Sequence, residues 1–472
     1  MSKAIVWFRQ DLRVTDNPVL AAACRQHQFI IPIYIWDELS HSLGGAQRWW
    51  LHHSLISLEQ SLQKIGLNLC LRQGNALAIL EQLVAEHHIG AVYWNRCYDP
   101  AAIQRDTQIK KHLQLDGVDV VSANGSLLHE PWDIRNAAGG FFKVFTPFWR
   151  TCINKLIIPE EWRPSLGLQS IPVNSDALTS WELLPTKPNW AEHFGEYWQP
   201  GEKGAQLKLH HFIEHYLCGY HHRRDIPNDH ATSKLSPHLH FGEISPWQVW
   251  RAIDAARLNQ EIAIKSVERF CAELGWREFS YHLLYHEPTI VNNNFKKIFN
   301  QFPWANDDSS LRRWQQGQTG YPIVDAGMRE LWSTGYMHNR VRMIVASFLT
   351  KDLFIDWRRG ASWFWDTLLD ADLASNSASW QWVAGCGADA APYFRIFNPV
   401  LQGEKFDPQG AYVKRWVPEL RDVPVHWIHQ PWLAPAGVKN YPPPMVDHAE
   451  ARKMALSYYK MINDKQVELN DQ

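Results

Sequence analysis

Short apolar runs alternate with longer periodic segments over the first quarter of the chain. Five runs rich in β-branched and aromatic residues predict strands, over residues 4–8, 29–36, 67–72, 91–95 and 118–123. After the second run, leucines recur at the three- and four-residue steps of a helix, namely Leu51, Leu55, Leu58 and Leu62. Strands that alternate with helices in this way predict a doubly wound parallel sheet of five strands with right-handed crossovers.

The rest of the chain has a different pattern. Residues 127–200 contain Pro-, Trp- and Gly-rich stretches such as HEPW, NAAGGFF and LLPTKPNW, which are typical of a connector. Beyond this segment strand-like alternation disappears and helical periodicity dominates. We therefore expect an α/β domain over residues 1–126, a connector over 127–200 and an all-α domain over 201–472.

Composition narrows the class of protein. A chain of 472 residues exceeds what one hydrophobic core supports. Hydrophobic residues make up 45% and charged residues 20%, with a formal net charge of −2, so this is a globular protein and no polycation. Any contact with nucleic acid must then come from a local patch. The 25 tryptophans are a functional hint, because each offers a stacking face and an easily oxidised ring.

The spacing of the cysteines and the first residues of the chain indicate the cellular compartment of the protein. The seven cysteines are scattered and never spaced C-x-x-C, which argues against a disulfide framework and against a zinc site. The opening MSKAIVWFRQDLR has no apolar leader, and the longest apolar run, FIIPIYIW, is too short to cross a membrane. We expect a soluble, cytoplasmic protein with no metal and no membrane contact.

The loop after the first strand reads RQDLRVTDNP. It lacks the glycine-rich turn that holds a dinucleotide pyrophosphate, which argues against an NAD-dependent flavin dehydrogenase. Asn17 followed by Pro18 predicts the start of a helix. By composition alone Arg9, Asp11 and Arg13 are interpreted as a solvated charged loop.

Four stretches carry polar and aromatic residues where a helical domain usually places aliphatic ones, and they are 231–245, 273–279, 335–343 and 368–385. In the first, hydroxyls gather where a phosphate could bind, although Ser or Thr before a helix is most often an ordinary N-cap. In the third, Arg340 and Arg342 are two residues apart and should serve different neighbours. The fourth is expected to be a loop of small residues that approaches a flat ligand, with an Asx-rich turn as the alternative.

The segments WFRQDLRVTDNPVL, TGYPIVDAGMRELWSTGYMHNRVRMIVASFLTKDLFIDWR and DADLASNSASWQWVAGCGADAAPYFRIFNPVLQGEKFDPQGAYVKRW resemble the photolyase/cryptochrome family over nearly the whole chain. The resemblance is closest to microbial class I cyclobutane pyrimidine dimer (CPD) DNA photolyases. It implies a monomeric deoxyribodipyrimidine photo-lyase. Such an enzyme repairs UV-damaged DNA by light-driven electron transfer from excited reduced FAD to a flipped-out dimer.

The resemblance also implies site residues. Those expected at FAD are Tyr220, Arg224, Thr232, Ser233, Lys234, Leu235, Ser236, Phe270, Asn339, Arg342, Asp370, Asp372 and Asn376. Of these, Asp370 should pair with Arg342, and Asn376 should face flavin N5. An electron chain should run from Trp304 at the surface through Trp357 to Trp380. The catalytic and lesion-binding residues expected besides Asn376 are Glu273, Trp276, Asn339, Met343 and Trp382, and the further DNA contacts are Arg340, Arg395 and Lys405.

An antenna chromophore and two rival functions stay open. Ala101 and Ala102 stand where folate-binding members carry an Asn-Glu pair, so the usual folate contact is not expected. A folate in another pose, a deazaflavin, a flavin or no antenna remain alternatives, with Trp36, Trp49 and Trp50 as stacking candidates. The rival functions are a cryptochrome-type blue-light photoreceptor and repair of (6-4) photoproducts. The second rival is disfavoured because its members place a second His at the position of Asn339.

Overall fold

The computed structural model describes residues 2–165, 167–259, 262–390, 394–435 and 437–470. The chain divides into two compact units. The first comprises Met1–Phe142, Thr146–Cys218 and Ser233–Pro288, and the second comprises Lys143–Phe145, Gly219–Thr232 and Thr289–Gln472. Residues 233–288 of the expected helical domain are thus grouped with the α/β segment. The domain limits expected from the sequence stay a prediction.

The first unit contains a parallel sheet. Its strands are β1 (Lys3–Phe8), β2 (Phe29–Trp36), β3 (Cys70–Gln73), β4 (Ala91–Asn95), β5 (Asp119–Ala123) and the short β6 (Gln169–Ser170). The order is β3-β2-β1-β4-β5, with β6 paired to β2, and these pairings are parallel. This confirms the predicted doubly wound sheet. The strand order reverses between β1 and β4, where such sheets bind ligands.

The edge of the sheet at β2 differs from the prediction. β6 pairs with Phe29 and Ile30, so β3 pairs with β2 only from Ile33 onward and begins at Cys70 instead of residue 67. A backbone N–H of β3, that of Gln73, donates to the Asp176 carboxylate at 2.7 Å. The connector therefore supplies both the extra strand and the groups that satisfy an edge strand.

Helices make up most of the remaining structure. In chain order they are α1 (Pro18–Gln26), α2 (Gly45–Gln63), α3 (Ala76–His87), α4 (Pro100–Leu115), α5 (Phe145–Lys155), α6 (Phe194–Tyr197), α7 (Glu202–His215), α8 (Tyr220–Arg223), α9 (Ser236–His240), α10 (Pro246–Asn259), α11 (Ile264–His286), α12 (Asp308–Gln315), α13 (Pro322–Thr334), α14 (Asn339–Ser347), α15 (Trp357–Thr367), α16 (Leu373–Ala384), α17 (Pro399–Phe406), α18 (Ala411–Trp416) and α19 (His448–Asn470). The predicted start of α1 is confirmed, because Asn17 accepts the Leu20 N–H at 3.2 Å and Pro18 is the first helical residue.

The charged loop after β1 is buried, so the solvated loop expected from its composition is wrong. Arg13 is fully buried, and its guanidinium donates to the carbonyl oxygens of Gly125 and Gly242 at 2.7 and 2.9 Å. Asp11 is buried as well and accepts from Asn95 Nδ2 at 2.7 Å. Buried charges are tolerated when their hydrogen bonds are made. Here the partners are distant in sequence, and composition does not reveal them.

The second unit packs its helices closely around tryptophan. A Cβ on Gly360 of α15 would lie 2.2 Å from a ring atom of Trp380 of α16, and a Cβ on Gly327 of α13 would lie 2.4 Å from the Val341 side chain. Neither space admits a larger residue without displacement. These glycines therefore fix how closely α15 approaches α16 and α13 approaches α14. Separately, no helix in the described ranges is long and apolar enough to cross a membrane.

One buried carboxylate holds the turn that leads into α13. Asp325 is fully buried. Its Oδ1 accepts from the N–H and hydroxyl of Thr319 at 2.7 and 2.6 Å, and its Oδ2 accepts from the Gly320 N–H at 3.0 Å and the Tyr441 hydroxyl at 2.6 Å. Four donors thus depend on one side chain.

Replacing this carboxylate should destabilise the protein. Asp325→Ala leaves buried donors without an acceptor, and we expect a loss of about 3 kcal/mol in the free energy of unfolding, measured by denaturant titration. The control is Asp307→Ala. That side chain caps α12 at an exposed site, and its loss should cost about 1 kcal/mol. Equal losses of unfolding free energy in the two variants would contradict the role of Asp325 as the buried acceptor for four donors.

Candidate cofactor and substrate site

An ion pair joins the first turn of α14 to the segment before α16. Arg342 donates from Nη2 to Asp370 Oδ2 at 2.9 Å and from Nε to the Met337 carbonyl oxygen at 2.7 Å. Burial acts to lower the pKa of Arg342, but the Asp370 carboxylate opposes it, and the pKa is raised above its ordinary value. Arg342 therefore stays charged at neutral pH, and the pair is a fixed polar group inside the second unit.

The aspartate- and tryptophan-rich stretch after Asp370 is a helix, so the expected loop is wrong. Asp372 is the N-cap of α16 and accepts the Ser375 N–H at 2.8 Å. A cap followed by small residues starts a helix here and not an irregular turn. Asp372, Asn376 and Trp380 are spaced four residues apart and share one face of this helix, whereas Trp382 lies on another.

Asn376 is held by a neighbouring helix. Its Nδ2 donates to the carbonyl oxygen of Ala361 in α15 at 3.0 Å. This bond uses the donor end of the amide and leaves Oδ1 free to accept. The arrangement suits an N–H group presented by a ligand ring.

Two buried nitrogen atoms in the second unit indicate room for a polar ligand. Trp380 is 2% exposed. Its Nε1 has no hydrogen-bond partner within the described residues, and the same is true of Nε2 of the buried His338. Buried polar atoms are normally paired. Together with Asn376 and the Arg342–Asp370 pair, they fit a large cofactor with aromatic and polar edges, as FAD has.

The three tryptophans of the expected electron chain differ in exposure. Trp380 packs against the Phe364 ring at 5.0 Å between centroids. Trp357 begins α15, is 1% exposed, and donates from Nε1 to Asn294 Oδ1 at 2.8 Å. Trp304 is only partly buried and lies 4.4 Å from the Phe302 ring. Trp380 and Trp357 are thus both buried, and of the three only Trp304 reaches solvent, as the surface end of such a route requires.

The two arginines that follow His338 contact different acidic partners. Arg340 donates to Asp225 at 2.8 Å, lies 4.5 Å from the Phe406 ring and contacts Met343 Sδ at 3.8 Å. Arg340 and Arg342 therefore serve different neighbours, as their spacing predicts. Asn339 is exposed.

Trp382 lines a cationic cleft. The cleft is small and is also lined by Lys296, Lys351 and Arg395. The Lys351 ammonium donates to the Arg395 carbonyl oxygen, and burial lowers the pKa of Lys351 to about 7. Beyond the cleft, Lys405 is exposed and its ammonium lies 5.2 Å from the Phe406 ring. The surroundings of Trp382 therefore favour an anionic partner.

The expected phosphate-binding residues are divided between the two units. In the second unit the Arg224 guanidinium lies 5.4 Å from the Tyr220 ring, and Thr232 hydrogen-bonds to the Tyr336 hydroxyl. In the first unit Ser233, Lys234 and Leu235 lead directly into α9, whose first residue is Ser236. Lys234 has a left-handed φ of 51°. The N-cap of α9 is Leu235, which makes no side-chain cap bond, so the ordinary helix-cap interpretation of these hydroxyls is wrong.

Helix α11 of the first unit carries three expected site residues. Phe270 is buried against the Phe212 ring at 4.7 Å. Glu273 and Trp276 are three residues apart and share a face of the helix. Trp276 is 36% exposed, which leaves much of an indole available for stacking.

The tryptophans proposed for an antenna chromophore are largely covered by protein. Trp50 is fully buried, stacks on Phe241 at 6.2 Å and donates to Glu243 at 3.0 Å. Trp49 packs edge-on against Phe194. Trp36 is 4% exposed and stacks on Trp181 at 6.0 Å. Trp50 therefore has no free face, and Trp36 and Trp49 have little.

Sequence reasoning missed several partners of the site residues. Asp225 pairs with Arg340, Asn294 orients Trp357, and Asp389 accepts the indole N–H of Trp382 at 3.1 Å. Asp225 had a weak local signal, because it follows two arginines directly. The other two had none, since an isolated Asn or Asp in a loop most often serves a turn.

Two family models match the chain. One is described as DNA photolyase and matches residues 4–165. The other is described as the FAD binding domain of DNA photolyase and matches residues 270–461. The second match agrees with the polar and aromatic cluster in the second unit, and FAD is the cofactor of this chain.

Individual proteins are similar over nearly the full length. A deoxyribodipyrimidine photo-lyase from Agrobacterium fabrum is 51% identical over 97% of this chain and 98% of its own. Cryptochrome-2 of Arabidopsis thaliana is 38% identical over 98% of this chain and 80% of its own. The crystal structure of a bacterial class III photolyase from Agrobacterium tumefaciens superposes with a TM-score of 0.95 at 50% identity, covering 98% of both chains. The chain belongs to the photolyase/cryptochrome family.

Proposed function

We propose that the protein splits cyclobutane pyrimidine dimers in UV-damaged DNA with the energy of light. FAD, when bound, supplies the light-absorbing group and the transferable electron. The cleft at Trp382 carries the proposal, because it sets a partly exposed indole beside the exposed side chains of Lys296 and Arg395. A damaged strand needs both features, since a flipped-out base stacks on an aromatic ring and its phosphates attract cations.

The lesion pocket combines apolar stacking with directed hydrogen bonds. Trp276 of the first unit and Trp382 of the second unit would each offer a stacking face, and stacking would offset the few kcal/mol of unstacking that flipping costs. Glu273 would accept hydrogen bonds from base N–H groups. Asn339 and Met343 would complete the pocket, with Met343 supported by its contact to Arg340.

Phosphate contacts would come from the surrounding cations. Arg395 and Lys405 are exposed and can reach a strand without giving up a carboxylate partner in the described chain. Arg340 is bound to Asp225, so a phosphate would compete with that carboxylate. We therefore assign Arg395 and Lys405 the larger share of phosphate binding.

Residues of the second unit would hold the isoalloxazine ring. These are Arg342, Asp370, Asp372 and Asn376. The neutral Asn376 amide can accept a hydrogen bond from a reduced ring, whereas a carboxylate at this position would repel added negative charge. This is why the Asn favours an enzyme that works from reduced flavin.

A cryptochrome-type photoreceptor is the second candidate, favoured by the 38% identity with a plant cryptochrome. It predicts the same flavin binding without loss of dimers. The likeness to a class III photolyase leaves class I membership as a prediction. The monomeric state and the cytoplasmic location are also predictions.

The two indoles should be needed for lesion binding. Trp276→Ala and Trp382→Ala each remove one stacking face, worth roughly 1–3 kcal/mol per base, and should weaken binding of a dimer-containing oligonucleotide in fluorescence anisotropy. Trp432→Ala is the matched control, because Trp432 is also 36% exposed. Wild-type affinity in both pocket variants would show that the dimer binds elsewhere.

The tryptophan chain should support photoreduction but not repair. Trp380 would donate first and be refilled by Trp357 and then Trp304. Trp380→Phe and Trp304→Phe keep most of the apolar volume and remove the easily oxidised indole, so flavin photoreduction followed by absorbance should fall strongly. Repair by protein reduced beforehand should continue. Trp314→Phe is the control, since Trp314 lies 6.3 Å from Trp380. If only this variant slows photoreduction, the chain starts at Trp314.

A second chromophore, if bound, should use aromatic contacts of the first unit. Ala101 and Ala102 offer no side-chain acceptor to a pterin. We therefore expect reconstitution with a folate, a deazaflavin or FMN to depend on Trp36 or Trp49 and to be dispensable for repair. Titration of wild type, Trp36→Ala, Trp49→Ala and Trp50→Ala measures this. Unchanged chromophore affinity in all three variants would refute it.

A further inference from the structure

The chain folds back over Trp382 after α16 ends. Gly385 takes a left-handed φ of 97°. The Gly387 N–H then donates to the Gln381 carbonyl oxygen at 2.9 Å. A Cβ on Gly387 would lie 2.9 Å from the Trp382 backbone nitrogen, so the returning chain runs against the last turn of the helix. This return brings Asp389 to the Trp382 side chain.

Asp389 makes two contacts with two different groups. Its carbonyl oxygen accepts the indole N–H of Trp382 at 3.1 Å. Its carboxylate Oδ2 accepts the backbone N–H of Phe145 at 3.2 Å. Phe145 begins α5 and belongs to the second unit, and N–H groups at a helix start lack partners within the helix. The side chain of Asp389 is thereby anchored while its backbone holds the indole.

The backbone of Asp389 is in an uncommon conformation. Its φ is 50°, in the left-handed region that few residues other than Gly, Asn and Asp adopt. The carboxylate bond to Phe145 compensates for this conformation. An unanchored residue would relax toward negative φ and move the carbonyl that holds Trp382.

We propose that Asp389 is a positioning residue that holds the Trp382 indole in one orientation for stacking on the lesion. The proposal rests on the proposed role of Trp382. An indole fixed before binding loses less conformational freedom when the dimer arrives, so a held ring binds more tightly than a free one. Asp389 itself need not touch the DNA.

A double-mutant cycle tests the coupling. Trp382→Phe keeps a stacking ring and removes the N–H, and Asp389→Ala removes the anchor. Each should weaken dimer binding by roughly two- to tenfold, the worth of one hydrogen bond. The double variant Trp382→Phe/Asp389→Ala should bind the dimer no worse than whichever single variant has the lower affinity. Independent effects that multiply in the double variant would overturn the proposal.

Two more variants separate positioning from folding. Asp389→Asn can accept the same Phe145 N–H and tolerates a left-handed φ, so it should restore binding. Asp389→Gly adopts that φ without strain but has no anchor, and should bind weakly while retaining FAD. Repair at saturating DNA should be unchanged in Asp389→Ala, with only KM raised, and Asp307→Ala should match wild type in dimer binding, FAD content and repair.

The possible failures are distinguishable. If Trp382→Ala binds dimers as wild type does, the proposed role of Trp382 fails. If Trp382→Ala weakens binding and Asp389→Ala does not, only the positioning role fails. A third outcome would also overturn the positioning role. In it, Asp389→Ala loses bound FAD, whereas Asp389→Gly retains FAD and binds the dimer normally. The anchor would then serve folding alone.

Discussion

The Arg342–Asp370 ion pair connects the two segments on which the candidate site depends. Arg342 lies in the first turn of α14, and Asp370 lies two residues before the cap of α16. A 2.9 Å charge-assisted bond at this point ties the segment that leads into α16 to α14. Since Asn376, Trp380 and Trp382 are all carried by α16, their positions depend on where that segment is held.

The period of α16 then places its functional side chains on two different sides of the helix. Residues four apart face one side, so Asp372, Asn376 and Trp380 share a face with the close approach of α15 at Gly360. Trp382 falls on another side and opens to the cationic cleft. One helix thus presents a neutral amide and a buried indole in one direction and a stacking indole in another. Under the proposed function these residues contact the electron donor, FAD, and the electron acceptor, the dimer. Because one rigid helix carries them, the distance between donor and acceptor is fixed, as electron transfer requires.

Much of the fold could be predicted from the sequence, because its strands and helices have strong periodicity. β2 and β4 match their predicted limits, and the start of α1 follows from Asn17 and Pro18. β3 begins late because β6 shares its edge of β2, and no local pattern reveals that competition. The loop that contains Arg13 can be buried because the Arg13 guanidinium donates to the carbonyl oxygens of Gly125 and Gly242, which lie far along the chain.

The candidate site was predicted less completely, and for a similar reason. The family motifs indicated which side chains belong to it, but their partners lie outside those patterns. Asp225 and Asn294 contact site residues across 115 and 63 positions of sequence. The N-cap role of Asp372 has a sequence signal, because Asp before small residues starts a helix, yet the number of small residues favoured a loop. Local composition therefore predicts which chemical groups a site contains better than it predicts how those groups are arranged.

We propose that this chain places bound FAD so that light breaks pyrimidine dimers. The most direct measurement illuminates the purified, reduced protein with a dimer-containing oligonucleotide and follows dimer content by chromatography beside a dark sample. We expect dimers to disappear in blue light and to persist in the dark, with the flavin reduced again after each turnover. Equal dimer content in light and dark, from protein whose spectrum shows bound reduced FAD, would contradict it.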